Sequence, residues 1–296
     1  MPTDGFVATR DGLRLYYRTV GTGPRLVLLP NGIYFVDDLA SLGDICTLVA
    51  YDVRNRGRSD AEHDDARLRR AIEQDVDDLD DLRTHFDADP IMLIGHSYIG
   101  VVVALYAMRY GAHVDRVVQI GPSPPSSTKV YPPQATGEDG VLKSVLAQMT
   151  ELEPQRHSLP PEEFCRKFWT VLRPLYVADP ANADKIHWER CDVPNELGFM
   201  RYFTTFIIPS LQRLNLSAAD FASVRASVLT IHGTRDRSAP YGGGRDWVRP
   251  LPNARLLTVP NTAHAPWLES PALVLGALRT FLLGAWPDSA EVVGPE

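Results

Sequence analysis

The sequence of 296 residues has little that would suit a nucleic-acid or membrane partner. It carries 30 Lys and Arg against 37 Asp and Glu, a formal net charge of −7, with no basic run. Because polyanions are bound by clusters of neutralising cations, we expect no nucleic-acid partner. The longest apolar stretch, Tyr98 to Met108, is too short to cross a bilayer. The first ten residues lack the regions of a secretion signal, which predicts a cytoplasmic protein with no membrane partner.

Cysteines and other metal ligands are also sparse. Cys46, Cys165 and Cys191 are odd in number and far apart, which argues against a disulfide framework and favours a reducing compartment. His187 and Cys191 are four residues apart and could share a helix face, but two residues do not make a metal site. We therefore expect neither a disulfide framework nor a bound metal.

Short β-like runs alternate with helical segments through the first 121 residues. Two runs broken by turn residues predict a hairpin, and RLVLLP predicts the buried strand that follows it. Afterwards three apolar runs alternate with helical stretches, one of which is a long acidic segment from Ala66 to Phe86. The three runs are CTLVAYD, IMLIG and VVQIG. Near-continuous apolar strands in this order predict an α/β fold with a mostly parallel sheet flanked by helices.

The alternation stops at Pro122 and resumes at SVLTIHG (227–233), ARLLTV (254–259) and a closing helix near Pro271–Leu283. The interval contains aromatic, helix-like segments without a comparable strand pattern. We therefore predict a core of residues 1–122 and 224–286, with a helical cap of residues 123–223 inserted after the sixth strand. Residues 287–296 are predicted to be a disordered tail.

The most informative pattern is Gly95-His-Ser97-Tyr-Ile99-Gly100, which stands between the IMLI strand and the next helix. A serine at a tight strand-to-helix turn adopts a strained backbone, projects its hydroxyl above the sheet and needs small neighbours. Ile99 stands where the G-x-S-x-G pattern has its second glycine, so the match is imperfect. We predict that Ser97 is a nucleophile; the alternative is a structural serine that caps the helix.

A serine hydroxyl needs a base, and that base needs a carboxylate behind it. His264 follows the last predicted strand and Asp236 follows SVLTIHG, so both loops leave the sheet at the same edge as Ser97. The alternatives are a loop histidine with a capping role and a turn aspartate between two arginines. His96 is expected to point elsewhere, and the histidines at positions 63, 85, 113 and 157 are expected on the surface.

The order Ser97, Asp236, His264 is that of the α/β-hydrolase fold, and residues 5 to 285 resemble that superfamily. Leu29-Pro-Asn31-Gly-Ile33 resembles the family's His-Gly loop, with Asn31 in the position of the histidine. The resemblance implies that the backbone N–H groups of Ile33 and Tyr98 form an oxyanion hole and that no cofactor is needed.

The run from Tyr51 to Ser59 resembles the family's D-x-R-G-x-G-x-S loop. We expect this loop to be structural. Its arginines could instead bind an acidic substrate, and charge reversal at Arg54 or Arg56 tests that alternative through substrate affinity.

These residues predict a serine hydrolase that cleaves a carboxylic ester or lactone of a small, largely apolar molecule through an acyl-enzyme. Ser97 attacks the carbonyl, His264 transfers the proton and Asp236 orients the imidazole. Substrate contacts are predicted for four aromatic residues, namely Tyr34, Trp188, Phe203 and Trp267.

The same residues could serve several other functions, because a fold does not determine the reaction that its site performs. A carbon–carbon bond hydrolase and an acyltransferase are two of them. The cap also resembles that of proline iminopeptidases, in which case Glu189 or Glu196 would hold a free substrate amine; the alternative is that both are solvated helix charges. A binding protein that lost turnover, with Ile99 as the disabling change, is the alternative of another class.

Overall fold

The computed structural model describes residues 3–126, 129, 131 and 140–294. Its centre is an eight-stranded sheet in the order β1-β2-β4-β3-β5-β6-β7-β8. The strands are β1 Asp4–Ala8, β2 Arg14–Val20, β3 Arg25–Pro30, β4 Cys46–Tyr51, β5 Ile91–His96, β6 Val114–Ile120, β7 Ser227–Gly233 and β8 Ala254–Val259. The first two strands form an antiparallel hairpin, β2 is antiparallel to β4, and all further pairings are parallel. The predicted mostly parallel sheet is confirmed.

The central parallel strands are largely apolar because both faces of the sheet are covered. All residues of β4 and β5 are buried. Successive side chains point to opposite faces, so Leu93 packs into the cluster beneath α2 and α3 while Ile94 packs into the cluster beneath α11. Because these strands are parallel, the carboxyl ends of β5, β7 and β8 meet at one edge of the sheet, where the loops that carry the predicted site begin.

Helices cover the sheet and fill the interval between β6 and β7. They are α1 Asp65–Leu68, α2 Ile72–His85, α3 Tyr98–Arg109, α4 Gly140–Leu152, α5 Pro161–Leu172, α6 Glu196–Tyr202, α7 Ile208–Gln212, α8 Ala218–Ser223, α9 Gly242–Val248, α10 Pro266–Glu269 and α11 Pro271–Leu282. The single long helix expected from Ala66 to Phe86 is wrong. Ala71 has φ 46°, and a right-handed helix cannot continue through that conformation, so α1 and α2 are separate.

The segment from α4 to α8, residues 140–223, consists of helices joined by turns and loops, with no strand among its residues, and we call it the insertion. Arg190 anchors it to the core by an ion pair with the buried Asp52 at the end of β4. Residues 127, 128, 130 and 132–139 of the predicted cap lie outside the described residues. The limits 123–223 stay a prediction.

The predicted disordered tail is wrong as far as Gly294. Glu291 exchanges two backbone hydrogen bonds with Leu256 on the edge strand β8, at 2.8 and 2.9 Å, and Ala290 and Val293 are buried. An edge strand has free N–H and C=O groups that a passing segment can pair with. Residues 1, 2, 295 and 296 lie outside the described part of the chain.

The cysteine prediction is also wrong, because Cys165 on α5 and Cys191 form a disulfide. The two residues are 26 positions apart, but the fold brings their Cα atoms to 5.6 Å. Cys46 is buried and unpaired. Only one unpaired cysteine is left, so the cysteine argument for a reducing compartment is weakened. Among the described residues, no helix is both long and apolar enough to span a membrane.

Asp75 on α2 is fully buried, and neither carboxylate oxygen has a hydrogen-bond partner among the described residues. Burial, together with the nearby Asp78, raises the pKa of Asp75 well above its usual value. The folded protein thus keeps a proton that the unfolded chain releases above about pH 4, so this group lowers stability as the pH rises from there towards its folded-state pKa.

We expect Asp75→Asn to remove that dependence and to raise the free energy of unfolding at neutral pH by about 1.4 kcal/mol for each unit of pKa shift. Urea unfolding of both proteins between pH 4 and 8 measures it. Asp87→Asn, which changes an exposed carboxylate just beyond the same helix, is the matched control and should have little effect. A destabilised Asp75→Asn protein would show that the carboxylate is ionised and paired.

Candidate active site

Ser97 lies at the turn between β5 and α3 with φ 60° and ψ −129°, a conformation that is strained for a residue with a side chain. The turn is tight on both sides. A Cβ on Gly95 would lie 2.5 Å from the Ile99 carbonyl oxygen, and one on Gly100 would lie 2.8 Å from Pro122 Cβ. Gly100 thus provides the second small position that the pattern lacked at residue 99. The Ile99 side chain is buried in the core beside α3 and leaves the turn intact.

His264 and Asp236 are joined by a hydrogen bond of 2.7 Å between Nδ1 and Oδ2. A carboxylate only accepts, so Nδ1 carries the proton and Nε2 is free to act as a base. The other oxygen of Asp236 accepts the backbone N–H groups of Ser238 and Ala239, both at 2.8 Å. Burial alone would raise the pKa of Asp236, but the facing His264 and His232 lower it well below its usual value. Asp236 is therefore an ionised, fixed partner for His264.

Ser97 and His264 line the same cavity, whose volume is about 780 Å³. Asp236 lies behind His264, away from the cavity and fully buried. The structure thus brings the three predicted residues into one site. The backbone N–H groups of Ile33 and Tyr98 have no acceptor among the described residues, and that of Tyr98 is at the positive N-terminus of α3. The Ile33 side chain faces a different depression, so only its backbone could take part.

His96 is a site residue that the sequence did not reveal, and the expectation that it points elsewhere is wrong. It lines the cavity, and its Nε2 lies 2.9 Å from the backbone oxygen of His264. Because a carbonyl only accepts, Nε2 carries the proton, and Nδ1 accepts the hydroxyl of Tyr34. Burial and the neighbouring His264 lower the pKa of His96 well below its usual value, so it is neutral. Its adjacency to Ser97 was the only indication in the sequence.

His232, at the end of β7, is a second histidine at Asp236. Its Nε2 lies 2.9 Å from the Ala239 oxygen and 3.4 Å from Asp236 Oδ2. It packs against the loop that carries the carboxylate and helps to hold it in place. A histidine inside an apolar strand is typical of a core residue, so nothing in the sequence distinguished His232 as a site residue.

The arginines of the loop after β4 differ in their surroundings. Arg54 is 1% exposed and binds Asp78 and Asp11 with hydrogen bonds of 2.5 to 3.1 Å, away from the cavity. Arg56 lies in the cavity wall. It donates to Asn31 Oδ1 at 2.9 Å and faces Glu196 at 3.3 Å. The structural interpretation fits Arg54, whereas Arg56 belongs to the site.

This contrast gives a pair of variants whose expected effects on KM differ. Arg54→Met leaves the buried Asp78 unpaired, and we expect it to lower the free energy of unfolding by about 3–5 kcal/mol with little change in KM. Arg56→Met should also destabilise the fold, because it leaves the buried Glu196 unpaired, but unlike Arg54→Met it should change KM as well, since Arg56 lines the cavity. Urea unfolding and Michaelis kinetics on both variants measure the contrast. An Arg54→Met protein that is stable but has a raised KM would contradict it.

Three of the four aromatic residues predicted to contact substrate, Tyr34, Trp188 and Phe203, line the cavity. The prediction for Trp267 is wrong. Its ring stacks against Trp188 at 5.8 Å and its Nε1 donates to Asp38 at 2.9 Å, so it supports the wall from behind. Proximity to His264 in the sequence did not show which way this side chain points.

The two carboxylates proposed for amine binding are also separated. Glu196 is buried in the cavity wall beside Arg56, whereas Glu189 is paired with Arg173 and does not line the cavity. Further residues of the insertion complete the wall, among them Met149, Glu153, Arg156, His157, Phe168, Trp169, Leu172, Tyr176, Phe199, Met200, Arg201 and Thr204. His157, expected on the surface, is exposed at this wall. The described residues contain no group of three or more His, Cys, Asp or Glu that could hold a metal.

Comparison with known proteins agrees with this geometry. Residues 26–277 match the alpha/beta hydrolase family, and the chain belongs to that family. It is 22% identical to proline iminopeptidase PfmaB of Pestalotiopsis fici over 92% of this chain and 97% of that protein.

Two solved structures share the fold at low identity. An esterase from Exiguobacterium antarcticum has a TM-score of 0.71 and 16% identity over 94% of this chain and 99% of its own. A meta-cleavage product hydrolase from Pseudomonas fluorescens has a TM-score of 0.71 and 17% identity over 94% and 97%. At these identities the likeness shows the fold alone.

Proposed function

We propose that the protein is a serine hydrolase that cleaves a carboxylic ester or lactone through an acyl-enzyme. The observation that carries the proposal is the strained Ser97 turn, which shares a cavity with His264 while His264 Nδ1 donates to the buried Asp236. A hydroxyl, an imidazole in the right tautomer and an ionised carboxylate are the groups that acyl transfer needs.

In the acylation step, Ser97 Oγ attacks the carbonyl carbon while His264 Nε2 takes the hydroxyl proton. Asp236 stabilises the imidazolium that forms. In this proposal the N–H groups of Ile33 and Tyr98 hold the negative oxygen of the tetrahedral intermediate, and each such donor is worth about 3 kcal/mol of transition-state stabilisation. His264 then gives its proton to the departing alkoxide. In the second step His264 activates water, which attacks the acyl-enzyme and releases the acid and Ser97.

The cavity favours a small substrate with an apolar or aromatic part. Aromatic rings form much of its wall, and its volume lies in the range that suits small molecules. Esters and lactones are favoured over amides because an alkoxide leaves with less help than an amine. A largely apolar substrate is also consistent with the pairing of the two buried charges, Arg56 and Glu196.

A proline iminopeptidase activity is the second candidate, since Glu196 lies in the cavity and PfmaB is similar over nearly its whole length. Arg56 argues against it. A substrate ammonium at Glu196 would have to share the carboxylate with a guanidinium at 3.3 Å, in a buried place where like charges repel strongly.

Steady-state kinetics with nitrophenyl esters, lactones and aminoacyl arylamides test these candidates, using the wild type, Ser97→Ala and Glu196→Gln. The ester proposal expects turnover of esters or lactones with a burst of nitrophenol, both lost in Ser97→Ala. Turnover confined to aminoacyl arylamides and lost in Glu196→Gln would establish the iminopeptidase instead. A protein that binds these compounds without burst or turnover would be the non-catalytic alternative. Transfer of the acyl group to an added alcohol would identify an acyltransferase. Cleavage of a ring-fission dienoate alone would identify a carbon–carbon bond hydrolase.

A further inference from the structure

Asn31 presents a buried, unpartnered donor to the cavity beside Ser97. The residue is 5% exposed and lines the cavity wall. Its Oδ1 accepts the hydrogen bond from Arg56, and because a guanidinium only donates, the orientation of the amide is fixed. The Nδ2 group is therefore directed away from Arg56. It has no acceptor among the described residues. The nitrogen is also not one of the fully buried polar atoms that lack a partner, so it remains accessible.

Tyr176 presents a second such group on the insertion side. Its ring stacks on His264 with centroids 5.6 Å apart, and it lines the same cavity. The hydroxyl has no partner among the described residues. Its oxygen is also not one of the fully buried polar atoms, so it remains accessible. Burial raises its pKa above the usual value, so the hydroxyl keeps its proton and can donate.

The charges next to these two donors cancel. Arg56 and Glu196 are both buried and face each other at 3.3 Å. A substrate carboxylate placed here would meet Glu196 and a substrate ammonium would meet Arg56, and in a buried site either charge would remain incompletely paired. A neutral oxygen can accept from Asn31 Nδ2 and from the Tyr176 hydroxyl without disturbing the pair.

We propose that Asn31 and Tyr176 form a subsite for a neutral hydrogen-bond-accepting oxygen of the substrate, such as a keto, ether or hydroxyl oxygen close to the scissile ester. This inference rests on the proposed hydrolase function and adds the substrate class: oxygen-bearing esters or lactones rather than plain alkanoates. The subsite also gives a role to Asn31, which stands in the loop position where the α/β-hydrolase family has a histidine. In this chain it is a specificity-determining residue.

The test uses two pairs of nitrophenyl esters, and within each pair an ether oxygen replaces one methylene group. In the first pair the replacement is in the acyl chain. In the second pair it is in a substituent on the nitrophenyl ring, on the alcohol side of the ester. The quantity measured is the ratio of kcat/KM for the ether ester to that for its methylene partner. Because the ether oxygen changes intrinsic reactivity, the ratio is compared between proteins, where the intrinsic part cancels.

We expect Tyr176→Phe and Asn31→Asp each to lower this ratio about five- to tenfold for at least one pair, as the loss of one hydrogen bond implies. Aspartate tolerates the φ of 54° at position 31 and removes the donor. Met200→Leu, which changes an apolar cavity residue, is the matched control and should leave the ratio unchanged. Esters with a free carboxylate or amine in place of the ether oxygen should be poorer substrates than the ether ester.

The outcomes separate this inference from the proposed function. Turnover that depends on Ser97, with a ratio that neither variant changes, overturns the subsite and leaves the hydrolase intact. A preference for the carboxylate ester overturns it too, since Arg56 would then act as an anion site. If no ester is turned over, calorimetric binding of the same pairs to Ser97→Ala still decides the matter: equal affinity for the ether and methylene esters overturns the subsite, and tighter binding of the ether ester supports it.

Discussion

Ser97→Ala should lower kcat by at least about 10⁴-fold on every ester that the wild type hydrolyses, because the residual activity of a triad without its nucleophile comes only from binding and the oxyanion donors. The alanine side chain fits the turn, so the fold should be unchanged, and circular dichroism and urea unfolding check this. The expected result is loss of both burst and turnover in a folded protein. Retained turnover would place the chemistry elsewhere.

Ser97→Gly adds a stability readout to the same site. Serine and alanine both have a Cβ, which is strained at φ 60°, whereas glycine is not. We expect the glycine variant to be more stable than the alanine variant by about 1 kcal/mol and to be equally inactive. Equal stability of the two variants would mean that the turn relaxes in solution and does not hold Ser97 under strain.

Asp236→Asn should reduce kcat by about 10⁴-fold without unfolding the protein. The asparagine amide can donate to His264 Nδ1, which favours the tautomer with its proton on Nε2 and leaves no base for Ser97. The matched control is Asp246→Asn. Asp246 lies on α9, away from the cavity, and its carboxylate binds Lys129 and Tyr131. Kinetics on both variants test the assignment, and equal effects of the two would contradict it.

The acid dependence of stability gives a second measure of Asp236. Its pKa is lowered in the folded protein, so the ionised carboxylate stabilises the fold above its unfolded pKa near 4, and this contribution is lost as the pH falls towards the folded value. The difference in unfolding free energy between the wild type and Asp236→Asn should therefore shrink below pH 4. A difference that stays constant down to pH 2 would show that His264 does not stabilise the ionised form.

The loops that carry the candidate triad could be predicted because parallel strands fix the edge at which they emerge. Ser97, Asp236 and His264 each follow a strand of the parallel part of the sheet, namely β5, β7 and β8. The periodicity that identifies the strands therefore also places the three residues together. Gly95 and Gly100 were recognisable for a related reason, since a turn of this kind leaves no room for a Cβ.

The wall of the cavity was less predictable because it depends on how helices of the insertion rotate and pack. Trp267 and Trp188 are both aromatic residues near the site, yet only Trp188 lines the cavity, with Trp267 stacked behind it. Glu189 and Glu196 lie seven residues apart, and only one of them faces Arg56. The Cys165–Cys191 pair depended on the same packing. Nothing local in the sequence distinguishes the members of these pairs.

The roles of polar groups that act through other groups could not be predicted, for a different reason. His96 binds the backbone oxygen of His264, and Arg56 binds Asn31, so each has its role only through a partner distant in the sequence. Arg54 and Arg56 are two positions apart in one motif and serve different purposes. A motif located the loop, but the contacts determine what each arginine does.

Labelling of the intact protein with a fluorophosphonate, followed by mass spectrometry of the digested product, tests directly whether Ser97 is the activated nucleophile. The oxygen of an activated serine attacks the phosphorus and displaces fluoride from it, while the base takes the hydroxyl proton, so the label marks the nucleophile that His264 activates. We expect one phosphonyl group per chain on Ser97, no label on Ser97→Ala and slow labelling of Asp236→Asn. A label on another residue, or a folded wild type that takes up none, would contradict this assignment.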